Sequence, residues 1–416
     1  MPRLRRLFIS TGDASGCQHA KAVIEALHQH APDVEIAVVG DDAVANLPNV
    51  TLFRHHDTVG MGRFGVQQTL QGVWGHARLL QDTVHFIDAW QPDAVLVIDY
   101  GGYHLQLLKA LKQRVPCYYY IPPQVWASRG GRTRTIKATC RHVFAIFPFE
   151  EAWYQQWQVP CTYVGHPLLH QLPPPLPKVT LCQQLGLALE EVEHRPWVGL
   201  FPGSRRSEVQ RLLPTLLAGL ARYQQQGASA LEPLILLAQA PNLPTPYLQQ
   251  QLEQAFLSCE AQGLPRPQVR LVAQANHALL ANSTVVLGAS GTTSLEAALY
   301  GTPMIITYKV DALTAALARR FVTVPYVGLP NLLAPPDASD QPYTSQPLLP
   351  ELLQEACTPE AIAQQLAVFL TPTHPERQRA VAGLQRIRSR LVSDASSASP
   401  LSPSAASVIA QHLLTH

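Results

Sequence analysis

Continuous apolar runs that alternate with helical patterns constrain this chain more than any other feature. Leu7 to Ser10, Val34 to Gly40, Asp93 to Asp99, Tyr118 to Ile121 and His142 to Phe147 are such runs. After the first, Ala20, Val23, Ile24 and Leu27 recur at helical spacing. Strands apolar on both faces and separated by helices predict a parallel sheet covered on both sides. The pattern breaks after Gly165-His166-Pro167. There Gln171 to Lys178 reads Q-L-P-P-P-L-P-K, which can continue neither a helix nor a central strand. A second series has runs at Trp197 to Phe201, Pro233 to Leu237, Val269 to Val272, Thr284 to Leu287 and Met304 to Tyr308. A length of 416 residues also exceeds one typical core. The expectation is two α/β domains facing a cleft: residues 1–170, a linker at 171–178, and residues 179–357. A C-terminal helical segment, 358–416, completes the chain. In it Ile362, Leu366, Phe369 and Leu370, then Val381, Leu384 and Ile387, have helical spacing, and Ser393 to Ser407 reads as loop.

A net charge of +2 gives no bulk electrostatic support to a nucleic-acid partner. The seven cysteines are scattered without a C-x-x-C pair, so neither a zinc site nor a disulfide framework is indicated, and a reducing compartment is favoured. The apolar part of the first ten residues is too short for a signal peptide, and no run approaches the roughly 18 residues of a membrane-crossing helix. A cytosolic protein, at most peripheral on a membrane, is expected. No D-x-D pair or clustered His and carboxylate set is present, so no metal or other cofactor is expected. G-x-S-x-G and the Walker pattern are absent as well.

Three small-residue turns lead from a strand run into a helix. Pro202-Gly203-Ser204-Arg205 precedes Val209, Leu212 and Leu213, and leaves helix N-terminal N–H groups that suit a phosphate, with Arg205 as a two-pronged donor. An ordinary turn with an exposed arginine is the plainer alternative. Gly288-Ala289-Ser290-Gly291 opens a helix that stops at Gly301. There Glu296 either accepts from a ribose diol or closes a capping box with Thr293, and local spacing favours the box. Thr11 to Gly16 is the third turn. Its Asp13 is a helix cap or a base. Asp99 ends a strand run and either faces the cleft or anchors the next loop. His19 and His104 could move protons near neutral pH. Trp126, in Pro122 to Arg129, fills a core or sits at a membrane interface. The basic residues Arg129, Arg132, Arg134, Lys137 and Arg141 form a solvated face or meet anionic headgroups.

In order along the chain stand Ser10-Thr-Gly-Asp-Ala-Ser-Gly, Pro123-Gln-Val-Trp-Ala, Phe147-Pro-Phe-Glu, Val164-Gly-His-Pro, Pro202-Gly-Ser-Arg-Arg-Ser-Glu, Ala289-Ser-Gly-Thr-Thr-Ser-Leu-Glu and Leu329-Pro-Asn-Leu-Leu. This set, over positions 10 to 333, resembles the lipid-A-disaccharide synthase family, glycosyltransferases with two Rossmann-like domains facing a cleft (the GT-B fold). The resemblance implies inverting transfer of 2,3-diacylglucosamine from UDP to 2,3-diacylglucosamine 1-phosphate, giving a β(1→6) disaccharide 1-phosphate and UDP. It implies UDP binding through Gly203, Ser204, Arg205, Glu208, Ser290, Gly291, Thr292, Glu296 and Asn331, and so moves Glu296 toward the nucleotide. It implies acceptor and acyl binding on the N-terminal domain, and C-terminal helices that pack back or exchange in a homodimer. A peripheral place on the inner face of the cytoplasmic membrane follows from the lipid substrates. The base candidates are Asp13, then His19 and Asp99. The chain departs from the family where I-D-x-P-D-F-N is usual. Here Ile98-Asp99-Tyr100-Gly101-Gly102-Tyr103-His104 puts Gly102 at the family's catalytic aspartate and His104 at its asparagine. Asp13 stands for the usual Glu, and Cys17 for a second acid. Two alternative readings are a UDP-N-acetylglucosamine 2-epimerase-like isomerase and a non-catalytic nucleotide-sugar or lipid-binding homologue.

Overall fold

A computed structural model describes residues 4–55, 70–127, 131–227, 232–311, 314–315, 324–334, 346–395 and 404–415. Arg129 and most of the Ser393 to Ser407 loop lie outside the described residues. The chain divides into two compact units, Met1–Pro167 with Leu391–His416, and Leu168–Arg390.

The first unit holds β1 (Arg6–Ser10), β2 (Glu35–Gly40), β3 (Val50–His55), β4 (Ala94–Ile98), β5 (Cys117–Tyr120), β6 (His142–Ala145) and β7 (Cys161–Tyr163). They form one parallel sheet in the order β3-β2-β1-β4-β5-β6-β7. Its helices include α1 (Ala14–His30), α2 (Gly101–Leu111) and α3 (Pro148–Gln156). Leu7, Phe8, Ile9 and Val95 to Ile98 are fully buried, which is why these runs carry no polar face. Three strands escape the apolar-run reading: β3, β7 and, in the second unit, β13. All three are sheet edges with half-exposed side chains. The run His142 to Phe147 stops being strand at Ala145, because Ile146 and Phe147 turn into α3.

The second unit holds β8 (Trp197–Phe201), β9 (Leu234–Ala238), β10 (Val269–Val272), β11 (Val285–Ala289), β12 (Met304–Tyr308) and β13 (Glu351–Leu353). The sheet is parallel, in the order β10-β9-β8-β11-β12-β13. Its helices include α4 (Arg206–Gln225), α5 (Asn276–Asn282), α6 (Thr292–Tyr300) and α7 (Pro359–Leu370). The proline-rich stretch is tied to this unit: the Pro173 carbonyl accepts from the Tyr300 hydroxyl at 2.8 Å, and that of Leu176 from Asn282 Nδ2 at 2.8 Å.

The C-terminal helical segment, 358–416, is divided between the two units, with Leu391–His416 in the first. α7 lies on α4, where Ile362 comes so close that a Cβ on Gly219 would sit 2.4 Å from its Cγ2. The last helix, α8 (Ala405–Thr415), packs on α1 in the first unit. Its apolar face explains this: Ala406, Ile409, Ala410 and Leu413 are buried.

Candidate functional site

In each sheet the strand order reverses at one place, β1/β4 and β8/β11. Parallel sheets bind ligands outside the carboxyl ends of strands at such reversals. The three turns singled out from sequence all emerge there.

In the second unit, β8 runs into Pro202-Gly203-Ser204-Arg205 and β11 into Ser290-Gly291. Gly203 has φ +121°, and a Cβ on it would lie 2.5 Å from Glu208 Oε2. Glycine is therefore required twice over, for the backbone and for Glu208. The Glu208 carboxylate turns back on the loop. It accepts from Ser204 N at 2.9 Å and Arg205 N at 3.1 Å, and pairs with Arg205 Nη1 at 3.1 Å. Two amides that the sequence offered to a phosphate are thus already satisfied from within. Glu208 braces the turn from within. The Arg205 side chain stays 66% exposed, with Nε and Nη2 lacking partners among the described residues. Asn242 Nδ2 holds the Ser204 carbonyl at 2.9 Å.

The second turn is open. α6 starts at Thr292 with Gly291 as its cap, and Gly291 has no side chain to satisfy the N-terminal amides. Ser290 N donates to the Thr307 carbonyl at 3.1 Å. The amides of Gly291, Thr292 and Thr293 have no partner among the described residues, which is the anion-binding arrangement. The capping box does not form. Thr293 and Glu296 lie inside the helix, Ser294 occupies the third position, and its hydroxyl donates to the Gly291 carbonyl at 2.7 Å. Glu296 is freed to line a cavity of about 380 Å³ together with Arg205, Glu208, Ser290, Gly291 and Thr292. Burial raises the Glu296 pKa, and His277 opposes this.

Sequence reasoning missed Asn276, which lines the same cavity. Its Nδ2 donates to the Gln239 carbonyl at 3.2 Å, and its Oδ1 is buried without a donor among the described residues. Only its place at a strand-to-helix junction could have drawn attention to it. Asn331 is not brought to the cavity. It is 1% exposed and its amide is fully used: Nδ2 donates to the Leu349 carbonyl (2.9 Å) and Glu351 Oε1 (2.7 Å), and Oδ1 accepts from Leu349 N (2.8 Å).

In the first unit, Asp13, His19 and Asp99 share one electrostatic neighbourhood at the ends of β1 and β4. Asp13 caps α1, its Oδ1 accepting from Gly16 N at 2.8 Å. Desolvation lowers the His19 pKa while the Asp13 charge raises it, and the His19 ring meets Tyr120 edge to face at 5.8 Å. Desolvation raises the Asp99 pKa, the Tyr100 N–H lowers it, and Asp13 raises it. The anchor of the following loop is the Asp99 backbone carbonyl, which accepts from His104 Nδ1 (2.7 Å) and the Tyr119 hydroxyl (2.8 Å). His104 is fully buried, and desolvation pushes its pKa down to about 4, so it stays neutral and does not shuttle protons at pH 7. Gly102 is exposed in the first turn of α2.

Two of the sequence motifs meet at Glu150. Trp126 is a core residue, 4% exposed, and its Nε1 donates to Glu150 Oε1 at 2.9 Å. Glu150 Oε2 accepts from Ile146 N and Phe147 N at 3.2 and 3.1 Å. Desolvation outweighs these donors and pushes the Glu150 pKa from 4.5 up to about 7. The folded state therefore holds an extra proton between these values. The stability this adds is complete below the lower value and lost as pH rises through the upper one. The urea midpoint of the first unit is expected to fall between pH 5 and 8, and Glu150→Gln, which cannot ionise, to flatten that fall. Equal pH slopes for both proteins would contradict this.

Among the described residues no group of three or more His, Cys, Asp or Glu is placed to hold a metal ion, and no helix is long and apolar enough to cross a membrane.

A lipid-A-disaccharide synthetase family model matches residues 7–400. The lipid-A-disaccharide synthase of Syntrophus aciditrophicus (strain SB) is 31% identical over 376 residues, 90% of each chain. That of Trichlorobacter lovleyi (strain ATCC BAA-1151 / DSM 17278 / SZ) is 34% identical over 369 residues, 88% of each. Among solved structures, Phytolacca americana UGT2 complexed with UDP-2fluoro-glucose and pterostilbene superposes with TM-score 0.56 at 12% identity, covering 98% of this chain and 99% of that one. At that identity the likeness speaks to the fold, two Rossmann-like α/β domains of the GT-B type. The chain belongs to the lipid-A-disaccharide synthase family and is a glycosyltransferase of lipid A synthesis.

Proposed function

We propose that the chain transfers 2,3-diacylglucosamine from UDP to 2,3-diacylglucosamine 1-phosphate with inversion, forming the β(1→6) disaccharide 1-phosphate and UDP. The observation that carries this reading is the cavity of the second unit, where the open amides of Gly291 to Thr293, the free donors of Arg205 and the Glu296 carboxylate surround one space. The amides and Arg205 take the diphosphate, whose charge grows as the sugar leaves. Glu296 takes the ribose diol. Glu208 and Asn331 support the site without touching the nucleotide. The base is one of Asp13, His19 and Asp99 in the first unit, which also carries the acceptor and the acyl chains. Acyl substrates place the protein on the inner face of the cytoplasmic membrane, and the family resemblance favours a homodimer.

The test is purified protein with both acylated sugars and product mass spectrometry. One disaccharide 1-phosphate per UDP is expected. No UDP release from folded protein that binds UDP would overturn the reading. Conversion of UDP-N-acetylglucosamine without an acceptor would replace it by the isomerase.

A further inference from the structure

We propose that Asn276 reads the base of the bound nucleotide: its Oδ1 accepts the N3–H of uracil, and this contact selects a uridine over a cytidine diphosphate. The proposal deepens the UDP reading given above and rests on it.

Asn276 opens α5, a short step beyond β10. Its amide cannot turn over. Nδ2 donates to the Gln239 carbonyl at 3.2 Å, and the reverse orientation would set two oxygens against each other. The Gln239 carbonyl is itself held in place. Gln239 N donates to the Val272 carbonyl at 2.9 Å and Gln239 Nε2 to the Leu243 carbonyl at 2.8 Å, while Gln239 Oε1 accepts from the Thr245 hydroxyl at 3.1 Å. Asn276 Oδ1 is therefore fixed as an acceptor. It is buried and has no donor among the described residues, and Asn276 lines the cavity of the second unit. A buried acceptor left unpaired is costly, so a ligand donor that reaches it gains more than a hydrogen bond at an open surface would give.

The donors a uridine diphosphate carries on its nucleoside are the two ribose hydroxyls and N3–H. The Glu296 carboxylate takes the hydroxyls. N3–H is the donor left for Oδ1. The layout of the cavity agrees. In the sheet order β10-β9-β8-β11, the open amides of Gly291 to Thr293 follow β11 and Asn276 follows β10, so the phosphate donors and this acceptor stand on opposite sides. On either side of Gln239 in the chain are Ala238 and Ala240, with Pro241 next. All three line the cavity and carry no polar side-chain atom, which suits the flat face of a base. Glu296, the ribose acceptor, feels the charge of His277, the residue after Asn276. Cytosine reverses the pattern at the same ring atom. Its N3 has a lone pair where uracil has a hydrogen, so two acceptors would face each other.

The test is calorimetric titration of UDP and of CDP into the wild-type chain, Asn276→Ala and Asn276→Ser. The two nucleotides share ribose and diphosphate, so a change in their affinity ratio comes from the base. The wild type is expected to bind UDP at least about 10-fold more tightly than CDP. Each variant should lose roughly 10-fold for UDP while CDP is unchanged or tighter, so that the preference falls to about twofold or less. Equal wild-type affinities, or a UDP preference that survives in both variants, overturn the proposal. An equal loss for both nucleotides also overturns it, since Oδ1 then serves the ribose or the diphosphate. Serine suits a helix start, so Asn276→Ser decides by the same ratio if Asn276→Ala does not fold. A wild type that binds neither nucleotide is a different failure, that of the UDP reading on which the proposal rests.

Discussion

Gly288→Ala is expected to destabilise the second unit by about 3 kcal/mol and to weaken UDP binding with it. Gly288 lies in β11, in register with Phe201 of β8. A Cβ there would sit 2.1 Å from the Phe201 carbonyl oxygen and 2.8 Å from its carbon. These are backbone atoms of an interior strand, so no rotamer relieves the clash and β8 must move away. The strands that separate are the two that carry the Gly203 and Ser290 turns, so the cavity between the turns is deformed as well. The same change at Gly131, where nothing lies within 4 Å, is expected to alter stability by no more than about 0.5 kcal/mol. Urea-dependent hydrogen exchange of peptides covering 197–201 and 285–289 reads the effect on the sheet, and calorimetry reads UDP. An unchanged urea midpoint in Gly288→Ala would sink the expectation.

How much was legible in the sequence follows from what each residue had to satisfy. Trp197 to Phe201 and Met304 to Tyr308 are strands with the bounds their apolar runs suggest, because parallel strands covered on both faces tolerate no polar interruption; Val269 to Val272 also keeps its bounds, as an edge strand interrupted by the exposed Arg270. Val50–His55, Cys161–Tyr163 and Glu351–Leu353 were not legible, since these edge strands bury too little to leave a continuous run. The glycine turns were visible as turns, but the destinations of their side chains were not. Glu208 reads as a ligand-binding acid, and spacing alone did not show that its carboxylate also braces the turn by pairing with Arg205. By local spacing Glu296 reads as the closing acid of a Thr293 capping box, and it lies deeper inside the helix, because α6 begins two residues earlier than a Thr293 cap requires. Asn331 is consumed by the carbonyl and amide of Leu349, 18 residues away, and His104 joins Ser10 across 94 residues. Local spacing carries no trace of such pairings.

Arg205→Ala is the second large effect, expected to weaken UDP binding roughly 10- to 100-fold, the worth of a charge-assisted hydrogen bond or two. The turn itself should survive the change. Glu208 still accepts from the Ser204 amide and from the amide of residue 205, and the exposed Arg205–Glu208 pair adds little stability of its own. What is lost is the cation nearest the cavity, leaving the diphosphate to the amides of α6. Glu208 makes the outcome informative, because its carboxylate lies on the same wall as the proposed phosphate and occupies two amides the phosphate could use. If Glu208 only orients Arg205, Glu208→Gln weakens UDP binding by a few-fold, and the Arg205→Ala background abolishes that effect. If Glu208 competes with the phosphate, Glu208→Gln strengthens binding in both backgrounds, more so at low salt, where repulsion between like charges is least screened. The geometry favours the first outcome. Glu208 Oε1 is spent on the guanidinium and Oε2 on the loop, so both carboxylate oxygens are engaged within the turn and Arg205 keeps two donors for the ligand. Calorimetric titration of UDP at two salt concentrations into the two single variants and the double variant separates these cases.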